Sequence, residues 1–222
     1  MLPVMPTREM LARLPDIEPL RKRSQALAVM DAIMSPDWKY RYFLFNSTWA
    51  DGEMMATITN GSGDDLFVLF TEAGAIMKGF DHESFMSPWA RNEKSLWPGL
   101  FRSVPIEFAS FLTEPAFSIQ DSTFCIWRRN NESIWHADDI EYPDQDGTAD
   151  GSSWMLQEYV DGPEAYVDFC KHYYECEVPL RTVQEFWESK PLDEEMMLAL
   201  NPMATLASLQ KDLLEIGYPT RL

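Results

Sequence analysis

The sequence lacks any long apolar run and contains few cysteines. No apolar stretch approaches the ~20 residues that a helix needs to cross a bilayer. Residues 1–14 include Arg8, Glu9 and Arg13 where a signal peptide would be continuously apolar. The three cysteines, Cys125, Cys170 and Cys176, form an odd set without a recognisable spacing. We therefore expect a cytoplasmic protein with reduced thiols.

Motifs that identify a reaction are also missing. The chain has no glycine-rich phosphate loop, no nucleophile elbow and no cluster of metal-ligand residues. Its only histidines are His82, His136 and His172, and no two of them have metal-ligand spacing. We accordingly predict neither a metal nor another cofactor, and the sequence leans against an enzyme.

Basic residues are scarce, and the imbalance is concentrated in the last third of the chain. The formal net charge is −18, and residues 130–222 contain twenty Asp and Glu but five Lys and Arg. This charge disfavours nucleic acid and anionic membranes, which require a basic patch. A cationic protein partner would instead be attracted.

The chain does contain enough apolar material for a core, since 45% of its residues are hydrophobic and 13% are aromatic. Apolar residues between positions 16 and 34 recur at helical spacing and predict an amphipathic helix, with Arg21-Lys22-Arg23 on its solvated side. A series of β-prone segments separated by turn residues then predicts a four-stranded antiparallel meander. These segments are 40–45, 53–59, 66–70 and 75–80.

A hairpin and a helical region are predicted to follow the meander. Segments 122–128 and 133–137 favour a hairpin around Asn130-Asn131, and the last helix is expected to have Asn201 as its cap and to end at Gly217.

We predict a single α+β domain over residues 1–222, with a possible internal division near residue 145. Its antiparallel sheet would have about six strands, formed by the meander and the hairpin. An N-terminal helix and an acidic helical C-terminal part would complete the fold.

Three segments support a comparison with other proteins. They are Gly79-Phe80-Asp81-His82-Glu83-Ser84, Phe124-Cys125-Ile126-Trp127-Arg128-Arg129 and Leu214-Glu215-Ile216-Gly217-Tyr218-Pro219. Together they resemble a group of bacterial proteins that carries no assigned function, and the resemblance covers most of the chain from the meander onward. It implies a bacterial cytosolic origin and no particular chemistry.

The segment Asp81-His82-Glu83-Ser84 is the first candidate site. It leaves the last meander strand and enters a long loop, a common position for binding residues on a rigid scaffold. Because consecutive strand residues point to opposite faces, His82 with Asp81 or Glu83 is the most that local geometry provides. The segment therefore predicts either a hydrolytic site or a turn capped by Asp81 and Ser84 beside a hydrogen-bonded histidine.

The second candidate depends on the register of the predicted hairpin. Symmetric closure on Asn130-Asn131 would place Cys125 directly opposite His136, with Cβ atoms ~4.5–5.5 Å apart. A neighbouring imidazolium would lower the pKa of the thiol and activate it. A longer loop would shift the register and separate the pair, and a buried Cys125 would then pack as a small apolar group.

The third candidate is an acidic loop whose carboxylates could hold a hard cation. Its acidic residues are Asp138, Asp139, Glu141, Asp144, Asp146 and Asp150. In an EF-hand alignment that starts at Asp146, Gln157 occupies the position of the bidentate glutamate. We therefore interpret the segment as a solvated acidic loop.

Two functional hypotheses follow. The favoured one is a non-catalytic cytosolic protein that engages a basic protein through its acidic C-terminal surface, as an immunity-type inhibitor of a basic toxin domain would. The alternative is a small hydrolytic enzyme built on His82 with Asp81 or Glu83, or on Cys125 and His136. The predicted partner-binding residues are Trp89, Trp97, Glu185, Glu188, Glu194 and Glu195.

The two hypotheses differ in what the surface should look like. A deep pocket that gathers His82 and His136 would favour the enzyme. A flat or convex acidic face with exposed tryptophan would favour the binding protein, because tryptophan is enriched among the residues that dominate protein interfaces.

Overall fold

The computed structural model describes residues 6–91, 94–143 and 150–221. The strands are β1 (Phe43–Ala50), β2 (Glu53–Thr59), β3 (Asp65–Thr71), β4 (Gly74–Phe80) and β5 (Phe124–Arg129). The helices are α1 (Pro6–Arg13), α2 (Ile17–Met34), α3 (Ala109–Thr113), α4 (Ser152–Met155), α5 (Gln157–Val160), α6 (Pro163–Tyr173), α7 (Leu180–Trp187), α8 (Glu194–Leu200) and α9 (Leu206–Ile216). Short 3-10 turns lie at Trp38–Tyr40, Pro88–Ala90, Ile106–Phe108 and Pro115–Phe117. The α+β class is confirmed.

The predicted meander is confirmed as the first four strands of one open sheet. The strands lie in the order β1-β2-β3-β4-β5, and every neighbouring pair is antiparallel. The first strand starts at Phe43 and not at residue 40. The Asp37 side chain accepts a hydrogen bond from the Lys39 backbone and caps a 3-10 turn there, so the chain becomes extended later.

The predicted sixth strand at 133–137 is wrong. Among the described residues, a single bridge between Trp127 and His136 joins this segment to β5. Hydrogen bonds that involve side chains hold this turn in place of further strand pairing. The Glu132 carboxylate accepts a hydrogen bond from the Arg129 backbone N–H at 2.9 Å. The Glu132 carbonyl also accepts from Arg128 Nε at 2.9 Å. The described sheet therefore has five strands.

The predicted N-terminal helix is confirmed as α2, but it is buried on more sides than an amphipathic pattern implies. Every residue from Ser24 to Ile33 is buried, because α2 contacts β1 and the helices α5, α7, α8 and α9. Its basic triplet is also less solvated than predicted. The Arg23 guanidinium donates to the Tyr159 carbonyl and lies 5.4 Å from the centre of the Trp187 ring.

Hydrophobic clusters cover both faces of the sheet. The larger cluster joins Phe43 and other strand residues to α2 and to the C-terminal helices. The smaller cluster joins Trp127 to the segment 106–117 on the opposite face. Phe43 and Leu192 belong to the same cluster, so residues on either side of the predicted division share a core. Position 145 lies outside the described residues. Within the described ranges, no helix combines the length and apolar character needed to span a bilayer.

The last helix ends as predicted but starts later. Gly217 adopts a left-handed conformation with φ +67° and closes α9. The helix starts after Thr205, whose hydroxyl accepts a hydrogen bond from the Ser208 N–H in a capping box. The predicted Asn201 cap is wrong, because Asn201 ends α8 and its amide donates to the Ile33 carbonyl at 2.8 Å.

Asp31 is a fully buried carboxylate within α2. Its Oδ2 accepts hydrogen bonds from the backbone N–H groups of Tyr42 (2.6 Å) and Phe43 (3.0 Å). Its Oδ1 accepts one from the Tyr174 hydroxyl at 2.6 Å. Burial raises the pKa of Asp31 to about 6, and these hydrogen bonds offset the effect only in part. One side chain thus connects the core helix to the start of β1 and to the end of α6.

Asp31→Asn should change how stability depends on pH. The pKa of Asp31 is raised on folding, so the folded state binds this proton more tightly and the free energy of unfolding falls as the pH rises from about 4 to about 6. The fall corresponds to roughly 3 kcal/mol. Urea unfolding across this range should show the wild type losing stability relative to Asp31→Asn, since asparagine does not titrate. Asp51→Asn, which removes a charge from an exposed turn, should parallel the wild type, and the same result for Asp31→Asn would contradict the assignment.

Two leucines of α9 form a matched pair for testing how this helix packs. Leu209 is 2% exposed, whereas Leu214 is 76% exposed. Leu209→Ala should lower the free energy of unfolding by ~2–5 kcal/mol because it leaves a cavity. Leu214→Ala should change it by less than ~0.5 kcal/mol. Chemical denaturation measures both values, and equal small losses would mean that α9 contributes little to the core.

Candidate functional site

His82 follows β4 by two residues, and its imidazole is paired with Asp64, which directly precedes β3. Because β3 and β4 are antiparallel and Asp65 pairs with Phe80, the two positions meet at one end of the sheet. Asp64 Oδ1 accepts a hydrogen bond from the His82 backbone N–H at 2.8 Å and lies 2.6 Å from His82 Nδ1. Sequence reasoning missed Asp64, although the predicted β3–β4 hairpin could have indicated that the two residues are close.

The His82–Asp64 pair lies at the surface. The side chain of His82 is 40% exposed, and that of Asp64 is 9% exposed. The hydrogen bond to Asp64 raises the pKa of His82 above its ordinary value. Burial raises the pKa of Asp64, but the hydrogen bonds from His82 and Asn60 outweigh it and hold that pKa below its ordinary value. A histidine oriented in this way can take up or release a proton near neutral pH.

Asp81 and Glu83, the carboxylates that the sequence suggested as partners of His82, are not hydrogen-bonded to it. Asp81 Oδ1 accepts from the backbone N–H groups of Glu83 (3.0 Å) and Ser84 (3.1 Å). Asp81 Oδ2 accepts from the Trp154 indole at 3.1 Å, which connects the turn to α4. The Glu83 side chain is exposed. This geometry agrees with the turn-capping interpretation of the segment.

Cys125 and His136 are not opposite each other. The bridge pairs His136 with Trp127, so the predicted register is wrong by two residues, because the turn that Glu132 closes is longer than two asparagines. Burial, with a smaller effect from Asp138, raises the pKa of the Cys125 thiol well above its ordinary value. His136 stacks on Trp127, and its Nε2 lies 3.4 Å from Glu132. The thiol is therefore not activated by the imidazole.

Two carboxylates in the described part of the acidic loop, those of Asp138 and Asp150, accept hydrogen bonds from other groups of the protein. Asp150 is fully buried and accepts from the Ser152 N–H (3.0 Å) and hydroxyl (2.7 Å). Asp138 accepts a backbone N–H with both of its oxygens, at 3.0 and 3.2 Å. Asp144 and Asp146 lie outside the described residues. Among the described residues, no three His, Cys, Asp or Glu side chains are arranged to hold a metal ion.

The loop after β4 carries an aromatic surface formed by Phe85, Trp89 and Trp97. Phe85 is 45% and Trp89 59% exposed, and the rings of Phe85 and Trp97 lie 6.2 Å apart. The Trp89 indole N–H donates to Asp121 Oδ1 at 2.8 Å, and that of Trp97 donates to the Glu141 carbonyl at 2.7 Å. Of the two tryptophans that the sequence suggested as exposed, Trp89 is exposed, whereas Trp97 is partly buried against Met86 and Leu100. Sequence reasoning missed Phe85, which follows the capped turn directly. The hydrogen bonds hold the two indoles in fixed positions.

A buried lysine supports this aromatic surface from inside. Lys78 is 0% exposed, and its Nζ donates to Asp65 Oδ1 (2.6 Å) and to the Asp121 carbonyl (2.8 Å). It also lies 5.0 Å from the centre of the Phe67 ring. Burial lowers the pKa of Lys78, and the nearby Asp65 carboxylate opposes the shift. The lysine therefore anchors Asp121, whose carboxylate accepts from Trp89.

The four glutamates predicted for partner binding occupy two different settings. Glu185 and Glu188 lie 3.4 and 3.5 Å from Lys190 Nζ, so their charge is partly compensated. Glu194 and Glu195 lie in the first turn of α8 and form no ion pair with described residues. The second pair is thus exposed without a basic partner among the described residues, and the N-terminal end of α8 offsets its charge only in part.

A cavity of about 560 Å³ opens beside β1, α9 and the turn that contains Trp38. None of the candidate catalytic residues lines it. This cavity therefore does not gather His82 and His136.

His82 should titrate at a higher pH than an unpaired histidine, because its hydrogen bond to Asp64 favours the imidazolium. The stabilisation from the pair should be full below the ordinary histidine pKa and should be lost as the pH rises through the raised value. NMR titration of the ring signals should show the midpoint of His82 moving to lower pH in Asp64→Asn. His172 on α6 serves as the internal reference. An unchanged His82 midpoint in this variant would rule out the coupling.

Comparison with known proteins adds no family to this description. No protein-family model, curated protein or solved structure matches the chain. The charges and the exposed side chains of the protein are therefore the features from which its function can be inferred.

Proposed function

We propose that the protein is a non-catalytic cytoplasmic binding protein whose acidic C-terminal helices engage a basic protein partner. In its concrete form it is an immunity-type inhibitor, which neutralises a basic toxin domain by covering it. The observation that carries this proposal is the exposed and unpaired negative charge between α6 and α8.

Six acidic residues between α6 and α8 are exposed and form no ion pair within the described ranges. They are Glu164, Asp168, Glu175, Glu177, Glu194 and Glu195, and they are termed the acidic surface. Of the three lysines and arginines in this region, Arg181 and Lys190 lie within 4 Å of Glu185 or Glu188, and Lys171 is exposed on α6. The net field of the acidic surface is therefore negative.

An excess of negative charge in one region can serve binding as well as solubility. A soluble surface needs charge, but both signs can be interspersed, and a single-sign field is useful chiefly for steering an oppositely charged partner. Such a field raises the association rate and disfavours partners of the same sign. The acidic surface is thus suited to capture a cationic protein quickly.

The aromatic surface supports a role in protein binding independently of charge. Interface residues that dominate affinity are enriched in tryptophan and lie among near-neutral contacts that exclude water. Because hydrogen bonds already fix the indoles of Trp89 and Trp97, little side-chain entropy would be lost when a partner covers them.

The alternative, a small hydrolytic enzyme, is supported by the His82–Asp64 pair. A hydrolase needs a nucleophile or an activated water aligned with its base. Among the described residues, the only hydrogen-bond partner of the His82 imidazole is Asp64, and the Cys125 thiol is buried with a raised pKa. Binding is therefore the better supported function.

Charge reversal on α8 tests the proposal. The immobilised protein should capture a basic protein from a bacterial lysate at near-physiological salt, and mass spectrometry identifies it. Surface plasmon resonance with that purified protein should show Glu194→Lys/Glu195→Lys slowing association by roughly 3–10-fold, with a smaller change in dissociation.

The control variant is Asp51→Lys/Glu72→Lys, which makes the same change in net charge on two exposed turns of the meander. It should slow association much less than the α8 variant, because its charges lie outside the acidic surface. Equal rates for both variants and the wild type would mean that the acidic residues serve solubility alone.

A further inference from the structure

The cavity of about 560 Å³ lies between α9 and the first two strands, and its size is typical of a small-molecule site. Such sites usually occupy ~300–1,000 Å³ and combine apolar walls with a few convergent polar groups. Its lining includes Ala28 of α2, which is 0% exposed, so the cavity extends from the surface to the core helix. No residue of the acidic surface or of the aromatic surface lines it.

One wall of the cavity is a polar stripe of α9. Its members recur every three or four residues along the helix, and they are Ser208, Lys211, Asp212 and Glu215. Two contacts hold this wall in place. Arg41 Nη1 and Nη2 donate to Asp212 Oδ1 and Oδ2 at 2.6 and 2.9 Å, and Ser47 Oγ donates to the Glu215 carbonyl at 2.8 Å. The polar stripe is therefore positioned before any ligand binds.

Two opposite charges of the polar stripe are available to a ligand. Asp212 is not, because Arg41 occupies both of its carboxylate oxygens. Lys211 and Glu215 are exposed, and neither forms an ion pair with any residue in the described ranges. Side chains four residues apart on a helix have Cβ atoms ~5–6 Å apart. The mouth of the cavity thus presents one ammonium group and one carboxylate side by side.

The remaining lining is largely apolar and aromatic. Trp38 and Trp49 contribute two indole rings, and Trp38 is 69% exposed. Leu44 and Met55 add aliphatic side chains on one face of the sheet, because Leu44 is paired with Thr57, two residues from Met55. Aromatic rings pack favourably against one another beyond the area that they bury. This part of the cavity is therefore suited to an aromatic group.

A threonine hydroxyl beside this apolar lining lacks a partner. Thr57 is 9% exposed and lines the cavity, and its side chain forms no hydrogen bond with the residues that the structure describes. A ligand that covers Thr57 would displace water from its hydroxyl, and a covered hydroxyl without a partner is unfavourable. The part of the ligand nearest Thr57 should therefore carry a hydrogen-bonding group.

We propose that the cavity binds a free aromatic α-amino acid with a polar group on its ring, for which tyrosine is the probe. The α-carboxylate pairs with Lys211 and the α-ammonium with Glu215. The ring lies against Trp38 and Trp49, and its hydroxyl bonds to Thr57. A simple acid or amine would pair with only one of the two charges, and a net anion would also be repelled by a chain of net charge −18. The cavity is separate from the acidic surface, so this inference does not depend on the proposed function.

Four small probes test the pattern of charges and hydrogen bonds. Tyramine lacks the carboxylate of tyrosine, 3-(4-hydroxyphenyl)propionate lacks its ammonium group, and phenylalanine lacks its hydroxyl. NMR titration at physiological salt, which screens non-specific attraction of the amine, should show tyrosine shifting the indole signals of Trp38 and Trp49. Tyramine and the propionate should bind roughly tenfold more weakly than tyrosine, and phenylalanine roughly 3–10-fold more weakly.

Protein variants assign each contact, and circular dichroism checks that they fold. Lys211→Gln should weaken tyrosine binding roughly tenfold and leave tyramine binding unchanged, because tyramine has no carboxylate. Glu215→Gln should weaken tyrosine binding to a similar extent and leave binding of the propionate unchanged. Thr57→Val should abolish the preference for tyrosine over phenylalanine. The control Lys171→Gln, which changes an exposed lysine outside the cavity lining, should bind all four probes as the wild type does.

Several results would overturn the inference. A saturated tyrosine solution that leaves both indole signals in place would show that the cavity does not take this class of ligand. Equal binding of tyrosine, tyramine and the propionate would show that the paired charges do not contribute. Equal losses in Lys211→Gln and Lys171→Gln would place the effect in the overall charge of the chain and not in the cavity.

Discussion

A charged group without access to water must be surrounded by hydrogen-bond donors, and Asp31 finds its donors in two other parts of the chain. The backbone at Tyr42 and Phe43 and the hydroxyl of Tyr174 converge on this carboxylate. Leaving any of these donors unpaired in the core would be costly. Asp31 thus acts together with the apolar core to hold the start of β1 and the end of α6 against α2.

The same requirement explains how charge is divided between the interior and the surface. The buried ionic groups Lys78, Arg41 and Asp150 each have several hydrogen-bond partners. They stabilise loops and helix ends and are not available for chemistry. The surplus negative charge lies outside, on α6 to α8, together with exposed aromatic rings on the loop after β4. This division of charge supports the proposal that the protein binds a protein partner.

Local patterns predicted the parts of the fold that depend on local physics. β-prone segments with turn residues between them were sufficient to predict the meander, and apolar residues at helical spacing were sufficient to predict α2. The predictions were wrong where a side-chain contact, or a contact between residues distant in sequence, determines the local structure. Glu132 closes a turn that two asparagines were expected to form, and Asn201 bonds to α2 and does not cap α9. Asp64 reaches His82 across eighteen residues, a contact that only the strand register reveals.

The position of β1 at one edge of the sheet has a further consequence for the protein in concentrated solution. Unpaired strand edges tend to associate with one another, and this is a common origin of aggregation. Two copies that each carry a net charge of −18 repel one another. Added salt shortens the range of that repulsion from ~8 Å at physiological ionic strength to ~3 Å at 1 M. The negative charge thus also opposes the association of two copies at low ionic strength, and this opposition weakens in concentrated salt.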